Sequence, residues 1–195
     1  QSCFVEIEMN FSRAAGDSTD DPISYEGALV IRDAAGAFRG FPYPLEDLDA
    51  HIVFDDKLIQ LKDLHARGSG DSLIAMAGVV SSEAQPSVQI NLAATDLPLD
   101  SSLIDAMPDG ARSMMLSLFG KHGARSKVVS GGDSTGHEHV GLDLDISRPS
   151  GRDQETTLSG QITFEELELT WDGFPYPITL DKGRLDWHDG VLDIE

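Results

Sequence analysis

The sequence predicts a mainly β protein, an antiparallel meander interrupted by one broken amphipathic helix. Three observations carry this. Segment after segment alternates apolar and polar residues with period two. The pentapeptide Gly-Phe-Pro-Tyr-Pro occurs twice, at Gly40–Pro44 and Gly173–Pro177, inside a long internal repeat. Only one stretch, about residues 101–119, leaves the two-residue rhythm.

The alternation is explicit. Near the N-terminus the apolar set is Val5, Ile7, Met9 and Phe11; further on come Leu48, Ala50, Ile52 and Phe54, then Val88, Ile90, Leu92 and Ala94, then Val140, Leu142, Leu144 and Ile146. Glu, Asp, Asn and His fill the positions between them. Period two puts each set on one face of its strand. Short polar segments separate the runs: Phe54-Asp-Asp-Lys-Leu58, Arg67-Gly-Ser-Gly-Asp-Ser72, Ser81-Ser-Glu-Ala-Gln-Pro-Ser87 and Trp187-His-Asp-Gly-Val191. These read as hairpin turns joining antiparallel neighbours.

Laying the second pentapeptide on the first extends the match without a gap. Gly27 falls on Gly160, Phe38 on Trp171, Ile52 on Leu185, Phe54 on Trp187 and Leu61 on Ile194. Upstream, after a length change in a polar loop, Val5–Arg13 falls on Val140–Arg148, and both stretches end in Ser-Arg. Residues 5–61 thus repeat as 140–194, a period of roughly 135 residues, with about one and a half copies in the chain. Stacked modules of this kind cover one another's open ends. Both termini read as mid-strand, which predicts a fragment of a longer repeat protein, residues 1–195 forming one β-rich piece. In the pentapeptide, Pro42 and Pro44 fix two φ angles and withhold two N–H donors. They push Phe41 and Tyr43 into extended conformation. The expectation is a stiff corner outside the central ladder, with its two rings facing different ways.

The exception to the rhythm begins at Asp100, a suitable N-cap, and Pro108 opens a second helical stretch. Leu103, Ile104 and Met107 share one helical face, as do Met114, Met115 and Leu118, and Gly120 suits the end. The methionines read as core.

With 195 residues, of which 40% are hydrophobic, the chain is long enough to bury a core. Its 34 acidic and 14 basic residues give a net charge of −20. Such a chain repels phosphate backbones, so nucleic acid is excluded as a partner, and anionic lipid surfaces repel it as a whole. The acidity reads as a solubility feature or an adaptation to salt. Cys3 is the only cysteine, which excludes an intrachain disulfide and a four-cysteine zinc site. No run of 18 apolar residues occurs, and the N-terminus lacks the basic and apolar regions of a signal peptide.

Three motifs carry chemistry on paper. Gly70-Asp-Ser-Leu73 matches the first block of the GDSL esterases, whose serine is a nucleophile. No downstream Asp-x-x-His follows, the residues after Ser72 read as a strand rather than a helix, and Gly-Asp-Ser recurs at Gly16 and Gly132. A tripeptide used three times in polar loops is turn chemistry. His137-Glu-His139 offers two imidazoles where a zinc site needs three or four ligands. Asp17-Ser-Thr-Asp-Asp21 is acidic but lacks the EF-hand glycine and terminal glutamate. The sequence therefore predicts no enzyme, no metal site and no cofactor.

One family resemblance rests on the longer pattern. Gly27–Arg67 supplies a strand, a long hairpin and a further strand; Gly68–Val80 adds an apolar strand; Ala94–Pro108 is a strand running into Leu-Pro-Leu-Asp and a helix. This order resembles the large AsmA-like proteins of bacterial envelopes, of the TamB and YhdP type, which are similar to bridge-like lipid-transfer proteins. The resemblance implies a periplasmic slice of an inner-membrane-anchored protein. It also implies a curled sheet whose apolar inner face is a groove for phospholipid acyl chains, serving lipid transport or outer-membrane maintenance. The groove residues would be Val5, Ile7, Met9, Phe11, Ile52, Phe54, Val88, Ile90, Leu92, Val140, Leu142, Leu144 and Ile146. Its partners would be acyl chains and neighbouring repeats, and an isolated slice would dimerise or capture detergent. The competing expectation is a purely structural or interaction module, its apolar face closed by its own side chains and the 101–119 helix.

Overall fold

A computed structural model describes residues 3–13, 23–38, 41–107, 112–113, 115–116, 139–171, 174–188 and 191–194. Among these residues ten strands form one sheet in strict sequence order, each antiparallel to the next. They are β1 (Phe4–Ser12), β2 (Ser24–Phe38), β3 (Phe41–Asp55), β4 (Leu58–Arg67), β5 (Leu73–Ser81), β6 (Val88–Pro98), β7 (His139–Arg148), β8 (Thr157–Trp171), β9 (Phe174–His188) and β10 (Val191–Ile194). The sheet is open, with β1 and β10 as its edges. Among the described residues between β6 and β7 are a short helix, α1 (Ser101–Ala106), and the helical residues 112–113 and 115–116.

The turns form for local reasons. Asp55 Oδ1 accepts hydrogen bonds from the N–H groups of Lys57 and Leu58, both at 2.8 Å, so an Asx turn closes the β3–β4 hairpin. Between β4 and β5, Gly70 adopts φ +68°, and Gly68 N–H donates to the Ser72 carbonyl at 3.1 Å. Ser81 N–H bonding to the Ser87 carbonyl closes β5–β6.

The repeat is structural as well as sequential. The bounds of β8 and β9 reproduce those of β2 and β3 at the residue offset seen in the sequence. Pairing registers correspond too. Met9↔Gly27 and Gly27↔Phe54 in the first copy match Leu144↔Gly160 and Gly160↔Trp187 in the second. The two glycines seat the aromatic ring of the next strand. A Cβ on Gly27 would stand 2.6 Å from the Phe54 ring, and one on Gly160 would stand 2.7 Å from Trp187 Cη2 and 2.6 Å from the Asp143 carbonyl. The ring covers bare backbone, a glycine–aromatic pair across strands.

The pentapeptide departs from its expectation. Phe41–Pro44 is the first part of β3, and Phe41 and Tyr43 face the same side, with ring centroids 5.8 Å apart. Residues two apart on a strand share a face, so extended backbone through both prolines aligns the rings. The prolines are tolerated because this stretch pairs only with β2; the pairing of β3 with β4 starts at Glu46↔Arg67. The Tyr43 hydroxyl is fixed by the N–H of Ser69 at 3.2 Å.

The helix is broken, as expected, and its first segment is α1. Asp100 caps it as predicted, its Oδ1 accepting from Leu103 N–H at 3.0 Å, and Met107 ends it with extended backbone. Leu103, Ile104, Ala106 and Met107 are buried together with Met115. Residues 112–113 and 115–116 are helical, while Pro108, Met114, Leu118 and Gly120 lie outside the described residues.

The glycine seat gives a direct test. Gly160→Ala should destabilise the fold by about 1–3 kcal/mol through overpacking. Gly36→Ala, with nothing within 4 Å of its added Cβ, should shift the urea midpoint little. Trp187→Leu combined with Gly160→Ala should recover part of the loss as a measurable coupling energy. Equal midpoints for Gly160→Ala and Gly36→Ala would show that the ring does not occupy the seat.

Candidate functional site: the apolar face of the sheet

The pairing registers place all thirteen predicted groove residues on one face. One row runs from Ile7 through Leu29, Ile52, Leu61, Gly78 and Ile90 to Ile146 and Leu158. A parallel row runs from Met9 through Gly27, Phe54, Ile59, Val80 and Val88 to Arg148. On the other side of the first lies Val5, Ile31, Ala50, Leu64, Met76, Leu92, Leu144, Gly160 and Trp187. A fourth joins Ala66, Ile74, Ala94, Leu142, Ile162 and Leu185. Phe11 and Val140 continue the face on β1 and β7.

Burial divides this face lengthwise. Every residue of the fourth row is buried, as are Leu97, Leu99 and Val140 beside it, in one cluster with α1 and Met115. No residue of the Ile7 or Met9 row is fully buried, all the way from β1 to β8. Half of the face thus lies under a roof to which α1 and Met115 belong, and the other half is an incompletely buried apolar ribbon crossing the strands, with Leu61, Ile90 and Leu158 packed along the border of the cluster. On β1 the exposure is greatest: 52% for Val5, 61% for Ile7, 44% for Met9 and 67% for Phe11. Their repeat counterparts Val140, Leu142 and Leu144 are 2%, 1% and 4% exposed.

The opposite face carries acidic residues toward its outer strands and on β7, and Val53, Leu73, Ala75 and Val79 on the central strands. Glu6, Glu8, Asp49, Asp143 and Asp145 alternate with the inward rows and are exposed. The Asn91 side-chain amide donates to Asp145 Oδ1 across β6 and β7. Four ion pairs are formed among the described residues, all with substantial solvent exposure, as between Lys182 and Glu165 at 3.8 Å, and such pairs stabilise little.

The other motifs are disposed as follows. Ser72 is fully buried, and its Oγ donates to the Ser69 carbonyl at 2.9 Å. Its hydroxyl is spent on the turn, and Leu73 starts β5 directly after it. His139 opens β7, with Nδ1 3.1 Å from the Asp96 carbonyl; His137 and Asp17–Asp21 lie outside the described residues. Among the described residues no three His, Cys, Asp or Glu side chains gather as a metal site. None of the described helices is long and apolar enough to cross a membrane.

Sequence reasoning omitted Leu29, Ile31, Ile59, Leu61 and Val80, which line the same face. Their segments carry apolar residues at both parities, so alternation alone assigns no side; pairing with Ile7, Ile52 and Phe54 does. It also passed over Arg148, the inward residue after Ile146, although the repeated Ser-Arg ending marks it.

No protein-family model, no curated protein and no solved structure matches this chain.

Ser72→Ala should leave the circular dichroism spectrum unchanged and lower stability by about 1 kcal/mol, the net value of one hydrogen bond. Hydrolysis of a model ester by the wild type that disappears in this variant would instead make Ser72 a nucleophile.

Proposed function

We propose that the chain is a module of a large envelope protein whose open apolar ribbon holds phospholipid acyl chains. The single observation that carries this reading is the pair of incompletely buried apolar rows, the Ile7 row running from β1 to β8 and the Met9 row from β1 to Val88 on β6. Contiguous apolar surface of that extent on a folded chain marks a binding surface rather than ordinary exterior. A ribbon crossing the strands suits an extended hydrocarbon chain, because each strand adds one apolar contact at the inter-strand spacing of about 4.8 Å. The resemblance to AsmA-like proteins supports the same reading and adds a periplasmic location, an inner-membrane anchor elsewhere in the protein and neighbouring repeats as partners. The ribbon gives the isolated chain reason to dimerise or capture detergent, since each large residue left uncovered forgoes about 1.5–3 kcal/mol of burial.

A second reading, a structural repeat with no small ligand, is favoured by one specific feature: the half of the face that holds Leu142, Ile162 and Leu185 is buried in one cluster with α1. The two readings differ in the fate of the open half.

A photoreactive residue placed in the full-length protein separates them. At Ile52 or Ile146 it should trap phospholipid, at outward Asp49 or Asp143 it should not, and at Leu142, under the roof, it should trap protein only. Equal labelling from both faces, or no lipid from Ile52 and Ile146, would leave the structural module as the function.

A further inference from the structure

The Met9 row does not end in an apolar residue. Its last apolar member, Val88, pairs with Arg148, and the alternation of β7 places Arg148 on the inward side directly after Ile146. The repeat sets a second arginine in the same relation, since Arg13 follows Phe11 as Arg148 follows Ile146. Arg148 is half-buried, and its Nε is enclosed without any hydrogen-bond partner. Neither arginine has an ion-pair partner among the described residues, in a chain with 34 acidic groups against 14 basic ones. A guanidinium with an enclosed and unsatisfied N–H at the edge of apolar surface is a costly arrangement unless an acceptor arrives from outside.

We propose that Arg148, with Arg13 as its repeat counterpart, is the head-group subsite of the ribbon and receives the phosphate of a phosphate-bearing amphiphile. This rests on the acyl-chain reading above and adds the chemistry of the head. The hydrocarbon lies on Val88 and Ile146, and the phosphate meets the guanidinium where the apolar row stops. Arginine suits the task because its planar fork donates two parallel hydrogen bonds to phosphate oxygens. The chain's acidity opposes anions at long range. However, Glu6, Glu8, Asp143 and Asp145 lie on the opposite face, the carboxylates of the two turns flanking Arg148 (Glu83, Asp153 and Glu155) are exposed to solvent, and at physiological salt charge is screened beyond about 8 Å. The local competitor is Gln85, whose Oε1 is also enclosed and unpartnered and whose backbone carbonyl accepts from Gly151 N–H three residues beyond Arg148.

The test is calorimetric titration of the purified chain with n-dodecyl phosphate, n-dodecyl maltoside and inorganic phosphate, below the micellar concentration of each detergent. Wild type should bind both detergents. Arg13→Gln combined with Arg148→Gln should weaken dodecyl phosphate about tenfold, the worth of one charge-assisted contact, and leave dodecyl maltoside unchanged. Arg148→Lys, which keeps the charge and loses the fork, should fall between. Urea midpoints matching wild type establish that each variant is folded. Unchanged dodecyl phosphate affinity in the double variant overturns the subsite, leaves the ribbon intact and returns Arg148 to Gln85. Inorganic phosphate displacing dodecyl phosphate at similar concentration overturns it too, as a free-anion site. Failure of both detergents to bind wild type refutes the acyl-chain reading itself, and the subsite with it.

Discussion

A single sheet with one apolar face has to find a cover for that face, and in this chain the described cover is small. α1 is six residues long, against ten strands. Its buried residues Leu103, Ile104 and Ala106, with Met107 and Met115 beyond it, reach the half of the face that carries Ala66, Ile74, Leu97 and Leu142. That half becomes a conventional core. The remaining rows keep the same residue types, Val, Ile, Leu and Phe, without the same burial. Among the described residues, the division between core and open ribbon is one of burial, not of a change of composition along the strands.

Keeping one face apolar over fifteen-residue strands requires a second device. In β3 the inward residues are Phe41, Tyr43 and Leu45, then Leu48, Ala50 and Ile52; the parity changes once. The change falls at Asp47, which has φ +47° within a register irregularity between β3 and β4. Asp33 in β2 and Asp96 in β6 do the same, at φ 53° and 55°, between Ile31 and Ala34 and between Ala94 and Leu97. Each is a β-bulge whose extra residue sits in the left-handed region, where Asp is among the more tolerated side chains. Asp49 helps to hold the bulge in β2, its Oδ1 accepting from Asp33 N–H at 3.1 Å. Without such bulges the long hairpins would turn half of their apolar residues to solvent. Bulges also bend and twist strands, which brings Phe41 and Tyr43 into one cluster with α1.

This explains what is legible in the residue order. Strands with strict alternation, such as β1 and β7, and hairpins closed by local side-chain bonds, such as the one at Asp55, can be read from sequence alone. So can the Asp100 cap, since these signals lie within a few residues of their consequence. The repeat predicts the equivalence of β1–β3 with β7–β9. The bulges are not legible, because an aspartate at a parity switch looks like any polar residue until its partner strand is known. Two prolines in five residues suggest a corner with Phe41 and Tyr43 on opposite sides; an unpaired edge instead lets both rings remain in a strand. The division of the apolar face is hidden too, since it depends on which residues from strands distant in sequence meet in one cluster with α1.

The repeat makes the role of neighbours measurable within one molecule. Val5, Ile7 and Met9 stand on β1 as Val140, Leu142 and Leu144 stand on β7, with matching registers toward the following strand. What differs is the other side: β7 has β6 beside it and belongs to the roofed cluster, while β1 is an edge. The Tyr43 and Tyr176 counterparts differ in the same way, 0% against 69% exposed, because Tyr43 lies against the β4–β5 turn through Ser69. Exposure here is therefore a property of the neighbouring strand and its roof, not of the residue. Sequence patterning alone could not separate a groove from a core in this architecture, since the two copies carry the same pattern and meet different fates. The arginines that end the two stretches follow the same rule: Arg13, beyond the end of the edge strand β1, is exposed, whereas Arg148, in β7 with β6 beside it, is half-buried.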